Sequence, residues 1–265
     1  MTRAESNLIR LRAGNAECVL RAGGETSPAW LHLGASLGAS LAEDGFRGPQ
    51  TGNLIDAATA APLFPDPAEG WSGAPGWRDG PGPGRAWRAT VSRSSEDEVV
   101  AAYQHPDGYQ LEFQLTVVSE GLFAISLTGE IPGGKPAGRI ALGMPLPSTA
   151  MEIVGFGGRW AGEMTMTRVP LSGGFSRSSR AGSRTAHDAF PALVSGSTGF
   201  TAETGEVVGV HLGWWGNYEL VVETTRDGGY RSVFHLDPEE LLPLGEGRFR
   251  SPVLYVGWSD KGMNG

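Results

Sequence analysis

The chain has 265 residues, with 21 lysines and arginines against 29 aspartates and glutamates for a net charge of −8. That acidic balance argues against DNA, RNA or an anionic membrane surface as the main partner. No apolar run approaches the ~18 residues of a membrane span, and Cys18, the single cysteine, leaves no internal disulfide and no cysteine zinc cluster.

Met1 to Asn7 lack the apolar stretch of a secretory leader, so the cytoplasm is the expected compartment. Strands are expected at Asn7–Arg12, Glu17–Arg21 and Ala29–Leu33, with Cys18 a buried thiol in the run Cys18-Val19-Leu20. Asp44–Arg85 is poor in strand signals and rich in glycine and proline, carries Trp71 and Trp77, and has room for a helical turn at Ala57–Ala61. Strand signals resume at Trp87–Ser92 and Val99–Gln104. From Tyr109 to Val117 apolar and polar residues alternate strictly, the mark of a half-buried antiparallel strand. His105-Pro106-Asp107-Gly108 is the turn before it, since proline fixes φ and glycine accepts φ > 0.

A further strand is expected at Phe123–Thr128. Pro170–Ser197 then reads as a second irregular stretch, carrying Arg177, Arg180, Arg184 and His187. Beyond it come a strand at Val207–Trp214, a hairpin of Asn217–Thr225 with Tyr230–Asp237 around Arg226-Asp227-Gly228-Gly229, a helical turn at Pro238–Leu242 and a strand at Pro252–Trp258. No segment keeps a helical apolar period over three turns, and no βαβ alternation occurs. The expected fold is all-β, a large antiparallel sandwich formed by residues 1–265 as one domain.

The chemistry-bearing residues form few patterns. His32, His105, His187, His211 and His235 have no metal-binding spacing, and there is no nucleophile elbow, Walker A loop or dinucleotide fingerprint, so no metal and no cofactor is expected. Gly155-Phe156-Gly157-Gly158 lacks the spacing and the following helix of a phosphate loop. Trp71 and Trp77 stand six apart in a glycine- and proline-rich frame, with Arg78 and Asp79 adjoining. Indoles cover the C–H face of a sugar while neighbouring polar groups hold its hydroxyls. Two readings stay open: a sugar platform, or two anchors tying a long loop to the sandwich. Sequence spacing does not reveal the carboxylate separation of ~5 or ~9 Å that marks a glycosidase pair.

The second half resembles the N-terminal domain of the bacterial α-galactosidases of glycoside hydrolase family 36, the melibiase and raffinase group. The resemblance rests on Gly158-Arg159-Trp160-Ala161-Gly162-Glu163, Pro170-Leu171-Ser172-Gly173-Gly174, Ser183-Arg184-Thr185-Ala186-His187-Asp188-Ala189-Phe190-Pro191 and Gly205-Glu206-Val207-Val208-Gly209. It continues through Leu212-Gly213-Trp214-Trp215-Gly216-Asn217, Leu244-Gly245-Glu246-Gly247-Arg248-Phe249-Arg250-Ser251-Pro252 and Ser259-Asp260-Lys261-Gly262-Met263-Asn264-Gly265. Upstream, Gly70 to Arg78 resembles a loop that many members carry. The resemblance implies a β-supersandwich of the galactose-mutarotase type, which in full-length members precedes a (β/α)8 barrel holding the two catalytic aspartates. No Lys-Trp-Asp or Lys-Tyr-Asp nucleophile segment occurs in this sequence. It is therefore expected to be the non-catalytic N-terminal piece, with no catalytic residue of its own and inactive alone.

By the same resemblance its partners are the barrel of the full-length protein, further copies in a homo-oligomer, and α-galactosides such as galactose, melibiose and raffinose. Trp71, Trp77 and Arg78 are the expected substrate-rim contacts. Gly76 replaces the acidic residue that members place before the aromatic–arginine pair, and Asp79 substitutes only if the loop shifts. Arg184 and His187 match a family motif and are expected to have a structural or interdomain role, as a charged pair holding the irregular stretch. The alternative is a free-standing carbohydrate-binding module; a mutarotase-like enzyme with His187 as acid and a glutamate as base ranks below it. An uncovered barrel-facing surface near the C-terminus is expected to be apolar and to promote association.

Overall fold

The structure is a computed structural model that describes residues 8–22, 27–38, 61–81, 86–133, 135, 137–158, 161–162, 164–179, 189–225 and 228–265. The described strands are β1 (Leu8–Ala13), β2 (Ala16–Arg21), β3 (Ala29–Ala35), β4 (Trp77–Arg78), β5 (Arg88–Ser95), β6 (Glu98–Gln104) and β7 (Gln110–Ser119). Then come β8 (Leu122–Glu130), β9 (Arg139–Pro145), β10 (Glu152–Gly157), β11 (Thr165–Pro170), β12 (Phe175–Ser178) and β13 (Ala189–Gly196). The last are β14 (Val207–Leu212), β15 (Glu219–Thr224), β16 (Tyr230–Leu236), β17 (Leu242–Gly245), β18 (Arg248–Arg250) and β19 (Leu254–Ser259). Among the described residues the only helical elements are short 3-10 turns, one of them at Pro238–Glu240 where a turn is expected. Apart from Ala61, the turn expected at Ala57–Ala61 lies outside the described residues.

Every strand pair is antiparallel, and the strands form three sheets around one core. The largest has eleven strands and runs β11-β10-β13-β14-β19-β8-β7-β6-β5, with β18 pairing the end of β8 and β17 pairing β18. A five-stranded sheet runs β12-β15-β16-β9-β4, and β1-β2-β3 form the third. The β3 strand contacts both β9 and β19, so the small sheet packs where the two larger ones meet. This all-β antiparallel sandwich is the architecture expected from the sequence.

Local patterns explain the elements. In β7 the side chains of Leu111, Phe113 and Leu115 are buried while Gln110 and Glu112 are exposed, as strict alternation requires. Gly108 takes φ 95 in the turn before it, and the His105 amide donates to the Tyr109 carbonyl at 2.9 Å. The β15–β16 hairpin closes through the Thr225 amide and the Gly229 carbonyl at 2.8 Å. Cys18 is buried, and that burial pushes its thiol pKa up and away from reactivity.

Pro170–Ser197 is not the irregular stretch its sequence suggests: it holds β12 and β13. In β13 six of eight residues are buried, on both faces, which leaves no alternation to read. The β10 strand also looks unlike a strand, because Gly155 and Gly157 interrupt it. Gly155 is there to receive Arg177 of β12: a Cβ at 155 would lie 3.1 Å from its Nη1, and that guanidinium donates to the Phe156 carbonyl at 2.7 Å. Arg180, Arg184 and His187 lie outside the described residues.

One buried ion cluster ties β1 to β2. Glu17 is fully buried, bonded to Arg10 at 2.6 Å and Arg12 at 3.2 Å, and accepts from the Leu37 amide at 2.9 Å. Burial raises its carboxyl pKa, but Arg10, the Leu37 amide and Arg12 outweigh that and hold it at about 2, below the usual 4.5. A depressed carboxyl contributes stability that is complete above its unfolded pKa and is lost as pH falls toward the folded one. With Arg12 half exposed, solvent screening limits the contribution to about 1–2 kcal/mol. The expected result is a urea midpoint that drops between pH 4.5 and pH 2 in the native chain. Glu17→Gln should lose that part of the drop, starting from a lower midpoint at neutral pH.

Candidate functional site

Among the described residues, the outer face of the five-stranded sheet gathers Glu219, Glu223, Arg231 and His235 with Arg78 and Arg139. Phe234 and Leu236 of β16 belong to the core, so alternation sends Arg231, Val233 and His235 to the other side. On β15, Leu220 and Val222 are core residues and Glu219, Val221 and Glu223 face outward. The register pairs Glu219 with His235 and Glu223 with Arg231. Ionisable residues four apart on both arms of one hairpin, with a valine midway between them on the same face, are the sequence signal that marks this face.

Residues 61–81 cross over that face as a strap. Asp66 caps the 3-10 turn Pro67–Glu69 by accepting from the Ala68 amide at 2.8 Å, and also accepts from the Trp87 amide at 3.0 Å. The Gly76 carbonyl accepts from the Ala141 amide at 2.8 Å, and β4 then pairs with β9. Gly138, at φ 61, permits that pairing because a Cβ there would overlap the Arg78 carbonyl.

The strap covers a charged pair. Arg231 is 2% exposed, its guanidinium lies 5.1 Å from the Trp71 ring centroid, and its Nε stands 3.5 Å from a Glu223 carboxylate oxygen. The other Glu223 oxygen accepts from the Ala74 amide at 2.8 Å. Two glycines make room: a Cβ at Gly143 would lie 2.8 Å from Arg231 Nη2, and one at Gly73 would lie 2.8 Å from Glu223 Oε1. Burial lowers the Arg231 pKa to about 10, with Glu223 opposing, so the guanidinium stays charged at neutral pH. Beside the pair, Trp71, Ser72, Glu223 and Thr224 line an open cavity of ≈ 390 Å³.

At the β4 end of the same face lies a second cavity, of ≈ 480 Å³. Arg78 Nη1 bonds Glu219 at 3.1 Å, and Arg139 Nη1 stands 3.8 Å from the same carboxylate oxygen. His235 is 1% exposed, with its Nε2 3.5 Å from Arg78 Nη2. Burial first, then Arg78, Arg231 and Arg139, push its pKa down to about 3, so the ring is neutral at physiological pH. Asn217 Nδ2 donates to Glu240 at 2.9 Å on the rim. Among the described residues no group of three or more potential ligands is arranged to hold a metal ion.

The three residues singled out in the sequence thus go to three environments. Trp71 is half-buried, pressed on the Arg231 guanidinium and open to the first cavity. Arg78 projects into the second. Trp77 is 7% exposed: it stacks on Trp87 at 5.8 Å, meets Tyr109 and Phe249 edge-on at 5.1 and 6.0 Å, and donates from Nε1 to the Ala137 carbonyl at 2.6 Å. Most of its indole is taken up by these contacts, because β4 alternation turns Trp77 inward as it turns Arg78 outward. Asp79, at φ 59, lines a separate cavity with Asp66, Trp87, His105 and the remaining edge of Trp77. Sequence reading missed Glu219, Glu223, Arg231 and His235.

Comparison with known proteins gives a consistent result. Residues 137–241 match the family described as the glycosyl hydrolase family 36 N-terminal domain. An α-galactosidase of Escherichia coli is 34% identical over 185 residues, 66% of this chain and 24% of that protein. Among solved structures, the family 36 α-galactosidase AgaA of Geobacillus stearothermophilus superposes with a TM-score of 0.76 over 97% of this chain and 41% of its own, at 18% identity. An α-galactosidase of Lactobacillus brevis gives 0.77 over 100% of this chain and 41% of its own, at 17% identity. These structural likenesses establish the fold, and the chain spans less than half the length of each of these relatives.

Proposed function

Residues 137–241 are a glycosyl hydrolase family 36 N-terminal domain, and from that premise we infer that the chain is the non-catalytic N-terminal part of an α-galactosidase. The carrying observation is the coverage: nearly the whole of this chain superposes on 41% of a family 36 α-galactosidase, leaving the larger part of that enzyme outside the match. The parent protein removes terminal α-galactosyl residues with retention, through one carboxylate that attacks C1 and a second that protonates the leaving oxygen. AgaA has been solved with raffinose and with stachyose, which supports galactosides of that class as substrates of the parent. The cavity carboxylates described above are engaged otherwise: Glu219 bonds Arg78, Glu223 accepts from the Ala74 amide, and Glu240 accepts from Asn217.

In this reading the domain supports the catalytic barrel, contributes to a homo-oligomer, and presents Arg78 and Trp71 at the substrate entrance, while Trp77 holds their strap from beneath. Trp215, 86% exposed, and Tyr255, 38% exposed, provide apolar surface for such assembly. The test is hydrolysis. The purified chain alone is expected to release no 4-nitrophenol from 4-nitrophenyl α-D-galactopyranoside above a blank. Turnover that survives repurification and disappears in Glu219→Gln would put catalysis in this domain and overturn the reading.

A further inference from the structure

Of the nine buried side-chain polar atoms without a protein partner among the described residues, four belong to the outward-facing Glu223, Arg231 and His235. Buried polar atoms left unsatisfied are costly, and their concentration on one sheet face points to a ligand-bearing surface. Arg231 and Glu223 face each other under the strap. His235 differs from them: it is 1% exposed, lines the cavity at the β4 end, and has an unpartnered Nδ1. With Nε2 facing the donor Arg78 Nη2, a neutral ring carries its proton on Nδ1 as an unmatched donor.

The other groups of that cavity define the ligand chemistry. Two cations, Arg78 and Arg139, stand against three carboxylates, Glu219, Asp237 and Glu240. The excess is negative, and both arginines already face Glu219, so an inorganic anion is disfavoured. The wall instead mixes donors and acceptors, with Asn217, Ser178 and Ser179 lining it beside the charged groups. A hydroxyl both donates and accepts, and vicinal hydroxyls span the forked groups of arginine and carboxylate. The volume, ≈ 480 Å³, suits one or two sugar rings. Tyr218 also lines the cavity but is 4% exposed with its hydroxyl donated to the Ala189 carbonyl, so recognition rests on hydrogen bonds rather than ring stacking.

We propose that this cavity is a binding site of the domain itself for a neutral pyranose, held by Arg78, Arg139, Asn217, Glu219 and His235. It deepens the reading of Arg78 given above, resting on it for that residue's place at the substrate entrance, but it requires only this chain. Without a stacking aromatic the affinity is expected in the millimolar range, for binding and not for turnover.

The experiment is a titration of methyl α-D-galactopyranoside into the full chain, followed by amide chemical shifts, with inorganic phosphate and calcium chloride as parallel arms. Saturable shifts with the pyranoside are expected at millimolar concentrations, together with a roughly tenfold or greater weakening in Glu219→Gln. Asn217→Ala, on an exposed rim, should weaken binding several-fold with an unchanged fold, and Tyr255→Ala on the opposite sheet should bind as the native chain does. No saturation up to about 100 mM, stronger binding of phosphate or calcium, or unaltered affinity in both cavity variants would overturn the proposal. The galactosidase reading fails in the hydrolysis assay instead, so the two failures are separable.

Discussion

Trp77→Ala should lower the stability of the chain by about 3–5 kcal/mol, the usual cost of truncating a buried aromatic. The residue is 7% exposed and its ring contacts Trp87, Tyr109 and Phe249, so truncation opens a cavity bounded by aromatic walls that do not collapse into it. The Nε1 bond to the Ala137 carbonyl also goes, leaving that acceptor inside the strap. For a chain of this size the loss corresponds to a melting temperature lower by roughly 6–20 °C. Trp71→Ala, at a half-buried position, should cost about 1–2 kcal/mol. A thermal or urea melt of the two variants side by side distinguishes core anchor from exposed platform: equal, small losses would mean that Trp77 is not the anchor the packing makes it.

Arg231→Ala should be the second large effect, with a loss of about 3 kcal/mol or more. The guanidinium is 2% exposed under Trp71, and its removal leaves Glu223, only 18% exposed, without its cation and Trp71 without its cation–π partner. Partial exposure of Glu223 lets some water reach the orphaned charge, which keeps the loss at the low end of the range for buried pairs. Exchanging both partners for shape-matched neutral groups, Arg231→Met with Glu223→Gln, should recover most of the stability, because the uncompensated charge is then gone. Urea unfolding of the two single variants and the double gives the coupling directly. A double variant as unstable as Arg231→Ala would assign the loss to packing alone.

Both expectations separate what was legible in the chain from what was not. The β7 alternation, the His105–Gly108 turn and the β15–β16 hairpin follow from period and turn chemistry, since each depends on residues within about a dozen positions. The family resemblance was legible as well, as an ordered set of short motifs, and residues 137–241 match that family. The β9, β10 and β13 strands were not legible, and each for a local reason. Residues of β9 and β13 are buried on both faces, and β10 carries a glycine, Gly155, that admits Arg177 from another sheet.

The candidate site divides in the same way. The sequence by itself determined an all-β antiparallel fold and drew attention to Trp71, Trp77 and Arg78 as a local cluster. Only the tertiary structure decided that these neighbours part company, because a strand turns adjacent side chains to opposite faces and just one face of β4 meets the core. It also decided that Arg78 meets Glu219, 141 positions away, and that Ala74 meets Glu223, 149 positions away. Contacts across such distances depend on which strands the sheet order makes neighbours, and that order is fixed by packing of the whole core rather than by any local period.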